Sequence, residues 1–317
     1  MQRVLIIATD GFEQSELMEP KRLLEAGAAG YIGKGCDAQE LLRAVRDVAA
    51  GRRYLGTSIA QNLALSTVEG NGSPFDNLSP RELEDPHKGH ISDFTLYSKD
   101  QLQFIAEVVK AQTNLPLDLL AHSMGGAVAV QMLTQQPTLF RRAVLTSPMI
   151  APNSKVAFSE QDGCYLAAAF EWTCPDCYAG FVSQPYPHDQ AFADNILTSS
   201  KTRYQLFRDL YQQQPQLQLG GPTWSWLAQA CDVAQQMPEL ARQVKTPVLM
   251  LQSGAEHAVS NSAQQQFCQD LGPLCAEGKV QQFAGAKHEL LFESDSHRDL
   301  ALQKILTYLQ ASAVEQH

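Results

Sequence analysis

The chain has no apolar run long enough to cross a bilayer, so a membrane-spanning helix is not expected. It also lacks a basic surplus. Lys and Arg number 24 against 34 Asp and Glu, and the formal net charge is −10. A phosphate backbone repels such a chain, so binding to DNA or RNA would need a local basic patch. The densest basic group, Arg43 to Arg53, lies on an amphipathic helix pattern with acids interleaved, so no nucleic acid partner is expected. A signal peptide is not expected either. "MQRVLIIATDGF" offers only a short apolar run, and an acidic segment follows it. Cysteine is sparse, odd in number at seven, and widely scattered. These features together point to a cytoplasmic protein with reduced thiols. Cys174-Pro-Asp-Cys177 has the spacing of a redox or zinc half-site, but its partner pair is missing. Those two cysteines are expected to pack a small hydrophobic lid, and neither metal nor cofactor is expected. No internal repeat is visible.

With 317 residues, 44% of them hydrophobic, the chain can build one large α/β domain or two ordinary ones. "RVLIIATD" (3–10) reads as a buried strand closed by an Asp10-Gly11 turn. "SELMEPKRLLEAGAAG" reads as a helix and "GYIGKG" as a short strand. "DAQELLRAVRDVAAGRRYL" reads as a helix that opens at Asp37 and stops at Gly51. From about 64 to 92 the pattern dissolves into Ser, Pro, Gly and Asn, the clearest linker in the chain. A helix is then expected over about 96–112. Strands follow at 117–121, 141–148, 247–253 and 278–284, with helices at 124–136, 261–271 and 296–312. A long aromatic stretch occupies 150–240. Strands alternating with helices imply a mostly parallel sheet with helices on both faces.

The chemistry centres on "LDLLAHSMGGAVAV" (118–131). Ala121-His122-Ser123-Met124-Gly125 fits small-x-Ser-x-Gly, the nucleophile elbow, between an apolar strand and a helix of small residues. A sharp strand-to-helix turn lifts the serine hydroxyl clear of the sheet and aims the Met124 amide at a developing oxyanion. The plainer reading is a serine that only caps a helix. A nucleophilic serine needs a base and an orienting acid. After "PVLMLQS" comes "GAEHAVSN", placing Glu256 on a loop; after "GKVQQFA" comes "GAKHELLFE", placing His288 on the next. The order Ser, acid, His suits the elbow fold. A solvated loop carboxylate and a surface histidine are the bland alternatives. His257, which abuts the acid, and His297, at a polar helix start, are poorer bases.

Several segments carry a resemblance. "LAHSMGGAVAVQML", "LTSPMIAP", "NILTSSKTRYQLFRDLY", "LGGPTWSWL", "LQSGAEHAVSN" and "GAKHELLFESDSHRDLALQKIL" resemble the bacterial lysophospholipase L2 family, α/β-hydrolases related to monoacylglycerol lipases. "DPHKGHISDF" resembles the segment after that family's fourth strand. The likeness spans about 86–317. It implies an α/β-hydrolase core with a helical cap at about 150–240 and a triad of Ser123, Glu256 and His288. It also implies a serine esterase acting on a lysophospholipid or monoacylglycerol, with peripheral contact at the inner membrane face. The cap aromatics Tyr165, Phe170, Trp172, Tyr178, Phe181, Tyr186, Trp224 and Trp226 either line an acyl tunnel or form the cap's own core. Trp172, Tyr178, Trp224 and Trp226, with His122, are the candidate substrate contacts, although the His122 side chain should leave the turn in another direction from the serine's.

The N-terminal part is atypical for that fold. "VLIIATDGFEQSELMEP" (about 1–27) resembles a PfpI-type intracellular protease without its cysteine elbow. About 22–85 resembles the end of a LuxR-type response regulator without its phospho-acceptor aspartate or recognition helix. The lysophospholipase pattern implies a His-Gly turn after the third strand, which supplies the second oxyanion amide. The dipeptide occurs nowhere in the chain. The expectation is a recognisable triad with weak activity. The rivals are a catalytically dead fusion or lipid-binding module and, less in keeping with the missing helix, a DNA-binding regulator.

Overall fold

A computed structural model describes residues 3–7, 30–31, 54–55, 87–110, 114–153, 160–179, 183, 185–188 and 190–311. The strands are β1 (Arg3–Ile7), β2 (Gly30–Tyr31), β3 (Tyr54–Leu55), β4 (Leu117–His122), β5 (Phe140–Thr146), β6 (Val248–Ser253) and β7 (Gln281–Phe283). The helices are α1 (Thr95–Phe104), α2 (Met124–Gln135), α3 (Glu160–Thr173), α4 (Lys201–Gln213), α5 (Trp224–Gln243), α6 (Asn261–Leu271) and α7 (Asp295–Gln310). The helix expected over 96–112 is α1 followed by one π turn, Ile105–Val109. The helices expected near 15–30 and 37–51 lie outside the described residues.

Five strands form one parallel sheet in the order β1-β4-β5-β6-β7, and β2 pairs with β3 alone. β1 stands beside β4 with Arg3 opposite Leu117 and Ile7 opposite Ala121. Every residue of β4 and β6 is buried, as expected of central parallel strands covered on both faces. The pleat sends alternate side chains to opposite faces. Leu119, Ala121, Ala143, Leu145, Val248 and Met250 pack with Val128 and Met132 of α2, Met237 of α5 and Phe267 of α6. Leu120, Val144, Leu249, Leu251 and Phe283 pack on the other face with Ala301, Ile305, Tyr308 and Leu309 of α7.

Between β5 and β6 the chain inserts α3, α4 and α5, the region expected to form a cap. Ala167 of α3 packs with Trp224 and Ala228 of α5, and α4 forms a separate small cluster through Leu210 and Tyr211 with Leu217. Side-chain caps fix the helix starts. Ser200 accepts from the Arg203 amide, Thr223 from that of Trp226 and Ser260 from that of Ala263.

The cysteines depart from the reduced state expected of them. Cys164 is joined to Cys231, Cys174 to Cys177, and Cys268 to Cys275. The first pair is 67 residues apart in sequence and meets only because α3 packs against α5. The Cys174–Cys177 disulfide leaves neither sulfur to ligate zinc. Cys36, the remaining cysteine, lies outside the described residues.

Candidate functional site

Ser123 sits between β4 and α2 with φ 50° and ψ −124°, in the left-handed half of backbone space. A non-glycine residue held there costs about 1–3 kcal/mol and persists only where its surroundings over-determine it. Three hydrogen bonds hold it. The Ser123 amide donates to the Thr146 carbonyl (3.1 Å), and the Ser123 carbonyl accepts from the Gly126 (2.9 Å) and Met149 (2.7 Å) amides. Room for this turn depends on Gly126, where a Cβ would stand 2.4 Å from Pro148 Cβ and 2.8 Å from its Cα. Gly126→Ala is therefore expected to destabilise the fold by about 1–3 kcal/mol, because a ring and a backbone must move. Thermal unfolding of the variant measures this.

The hydroxyl of Ser123 lies 2.7 Å from His288 Nε2, and His288 Nδ1 lies 2.8 Å from Glu256 Oε2. A carboxylate can only accept, so Nδ1 carries the proton and Nε2 is left to accept from Ser123. The side chains of His288 and Glu256 are 4% and 1% exposed, so this array works away from bulk water. Burial pushes the Glu256 carboxyl up, but His288 and the Ala258 and His257 amides outweigh it and hold the group below its ordinary value. Glu256 Oε1 accepts those two amides at 2.7 and 2.8 Å. The two loops are also tied by backbone bonds, from Gly254 N–H to the Phe283 carbonyl and from Ala255 N–H to that of Ala286, each 2.8 Å.

The sequence reading overlooked the supports of His288. Ser147 Oγ donates to the His288 carbonyl (2.8 Å) and Ser253 Oγ to that of Lys287 (2.6 Å). Glu293, fully buried, accepts from the Ser199 and Lys287 amides (both 2.9 Å) and from Ser294 (2.6 Å), joining the His288 loop to the chain ahead of α4. Burial pushes its carboxyl up, but these amides outweigh that and hold it below the ordinary 4.5. A depressed carboxyl contributes stability above its unfolded pKa and loses it as pH falls through the lower folded value. Glu293→Gln should thus cost about 2 kcal/mol at neutral pH, since it strands a buried amide. The difference from the parent should shrink below pH 4.5, and paired denaturant titrations at pH 7 and pH 3.5 measure both.

The other expected residues fall as follows. His122 is buried, with Nδ1 2.9 Å from the Thr146 carbonyl, Nε2 3.1 Å from Glu289 Oε2, and its ring 4.9 Å from that of His288. Trp172 is 90% exposed, on the solvent-facing side of α3. Trp224 is buried and stacked on Phe170 at 4.6 Å, which is the cap-core alternative. Trp226 packs on the main core. Tyr178 bonds the His87 carbonyl through its hydroxyl and lies under Lys88. Phe181 lies outside the described residues. His257 is exposed, and His297 faces Glu293 at 3.7 Å, so neither reaches the serine array. Met124 is buried at the first position of α2. Residues 8–13, which follow β1 in the chain, lie outside the described residues.

A parallel sheet bearing a strained serine at a strand-to-helix turn, with a helical insertion before the last two strands, defines an α/β-hydrolase. The chain belongs to the Hydrolase_4 family, described as "Serine aminopeptidase, S33", which its residues 80–295 match. It is 32% identical over 234 residues to lysophospholipase L2 of Escherichia coli, covering 73% of this chain and 68% of that one. Among solved structures it is similar to the monoacylglycerol lipase of Paleococcus ferrophilus, with TM-score 0.53, 17% identity, and 71% and 79% of the two chains covered. Its N-terminal part is 49% identical over 67 residues to the response regulator GacA of Pseudomonas aeruginosa, covering 20% of this chain and 31% of that protein.

Proposed function

We propose that the protein is a serine esterase that cleaves single-chain lipid esters, lysophospholipids or monoacylglycerols, through an acyl-enzyme on Ser123. The observation that carries this is the unbroken chain of hydrogen bonds from Ser123 through His288 to a buried Glu256. The lysophospholipase L2 relative supports the substrate class. In the first half-reaction Ser123 Oγ attacks the ester carbonyl while its proton passes to His288 Nε2. The Met124 amide, at the start of α2, donates to the oxyanion. Collapse of the tetrahedral adduct expels the alcohol, which takes the proton from Nε2. Water then attacks the acyl-serine, with His288 again accepting the proton and Ser123 recovering it. Glu256 stays ionised throughout, holding Nδ1–H and stabilising the imidazolium. Release of fatty acid from 1-palmitoyl lysophosphatidylcholine and from monopalmitoylglycerol, followed by titration, tests the reading. Failure to hydrolyse either lipid or a short nitrophenyl ester would reject it.

Residues 1–85 read as joined fragments of other proteins, with the GacA likeness supporting the regulator-like piece. No helix among the described residues is long and apolar enough to cross a membrane. Exposed Tyr165, Leu166, Phe170 and Trp172 on α3 support peripheral contact with a lipid surface, and the net charge of −10 weakens attraction to anionic lipid. The cytoplasmic location expected from sequence stands against the three disulfides, a kind of bond that persists in oxidising compartments.

A further inference from the structure

The site holds a second His–carboxylate pair beside the first, and the proposed ester cleavage does not use it. His122 Nε2 faces Glu289 Oε2 at 3.1 Å, and its ring packs on that of His288. His122, His288 and Glu289 each present one ligand atom, and these atoms lie within 4.8 Å of one another. Both histidines are buried, and Glu289 is 24% exposed at its side chain.

We propose that His122, His288 and Glu289 form a binding site for zinc(II), and that its occupation silences Ser123.

Two features make this more than proximity. The first is that each imidazole has its Nδ1 engaged behind it, at the Thr146 carbonyl for His122 and at Glu256 for His288. An acceptor on Nδ1 fixes the tautomer that leaves Nε2 as the ligating atom, the outer-shell arrangement of zinc-bound histidines. The second is the donor set itself, two imidazoles and one carboxylate, which suits zinc and leaves one position open to solvent or to Ser123. Zinc bonds of about 2.1 Å place tetrahedral ligand atoms roughly 3.4 Å apart. The His122–Glu289 separation of 3.1 Å already meets that, and a small swing of the His288 ring brings the third atom in. That swing exchanges the hydrogen bond from Ser123 for a bond to the metal. The His288 lone pair is then no longer available to take the serine proton. Magnesium, which demands near-octahedral oxygen coordination, should not substitute.

The inhibitory half rests on the reading of Ser123 as nucleophile; the binding half does not. The test therefore has two arms, both on the full chain. Equilibrium dialysis against zinc chloride measures binding. One tight equivalent is expected in the parent and in Ser123→Ala, weakened at least tenfold in Glu289→Gln and in His122→Ala. Circular dichroism and thermal melting of each variant establish that it folds. Cobalt(II) substitution should give the visible bands of a four- or five-coordinate nitrogen–oxygen site, lost in the same variants. In the second arm, zinc should slow fluorophosphonate labelling of Ser123 in the parent, magnesium should not, and a chelator should restore it. Folded variants that bind zinc as tightly as the parent would overturn the site. Binding that leaves labelling untouched would overturn the silencing. A parent that binds zinc but takes no label would indict the esterase reading and leave the site standing.

Discussion

Ser123→Ala is expected to abolish covalent labelling by a fluorophosphonate, with peptide mapping of the parent placing the label on Ser123. Among the described residues, the two buried serines on the His288 side are already committed elsewhere. Ser147 and Ser253 are buried and commit their hydroxyls to the backbone of the His288 loop. His288→Ala should cut turnover by about 10⁶, as much as losing the serine, because the two act as one unit. Glu256→Gln should cost less, about 10⁴, since the acid holds the imidazole in its working tautomer and steadies the imidazolium but takes no proton itself. The order Ser ≈ His > Glu is the signature to look for, in labelling rate and in nitrophenyl ester hydrolysis. Undiminished labelling of Ser123→Ala would sink the assignment. So would a Glu256→Gln loss as large as that of His288→Ala.

The elbow could be found from sequence because its constraints are local. A small residue before the serine, a glycine after it and an apolar strand leading in are consequences of one strained turn. The meeting of Glu256 and His288 with Ser123 was legible for a related reason: each follows a strand whose apolar run is plain, at the loop where the parallel topology must bring chain ends together. What sequence hid was everything set by packing across the sheet. Glu289 and Glu293 look like ordinary polar residues in "HELLFE". Their partners, His122 and the Ser199 amide, lie 167 and 94 residues away. The Cys164–Cys231 bond is hidden in the same way, since nothing local marks two cysteines 67 residues apart as neighbours. Aromatic density did not reveal that Trp172 is exposed, because composition cannot say which face of α3 turns to water. His122 was expected to leave the turn in another direction from the serine's; what sequence did not show is that its ring lies 4.9 Å from that of His288.

Turnover of lysophosphatidylcholine is expected to run about 10²–10³ below that of an intact lysophospholipase, the usual cost of one missing oxyanion donor. Everything the hydrogen-bonded array needs lies within 117–293, but an oxyanion hole takes two amides, and the Met124 amide at the start of α2 is the one donor proposed. The family's second amide belongs to a His-Gly turn that this sequence does not contain. β1 occupies the sheet position beside β4 from which such a turn would project, with Ile7 opposite Ala121. The sequence that follows β1 is "ATDGFEQ", and with Asp10, Glu13 and Glu16 it is an acidic segment, of a charge that opposes an oxyanion rather than stabilising it. Proline substitution isolates the question, because it deletes one N–H and leaves the acids in place. If the hole is incomplete, Gly11→Pro and Phe12→Pro should each leave kcat within about twofold of the parent, since neither amide stabilises the transition state. A drop of about 10²–10³ in kcat with KM unchanged, in a variant that melts like the parent, would mean that one of these amides has rebuilt the hole. The parent should then match an intact relative, and the expected deficit would be wrong on both counts.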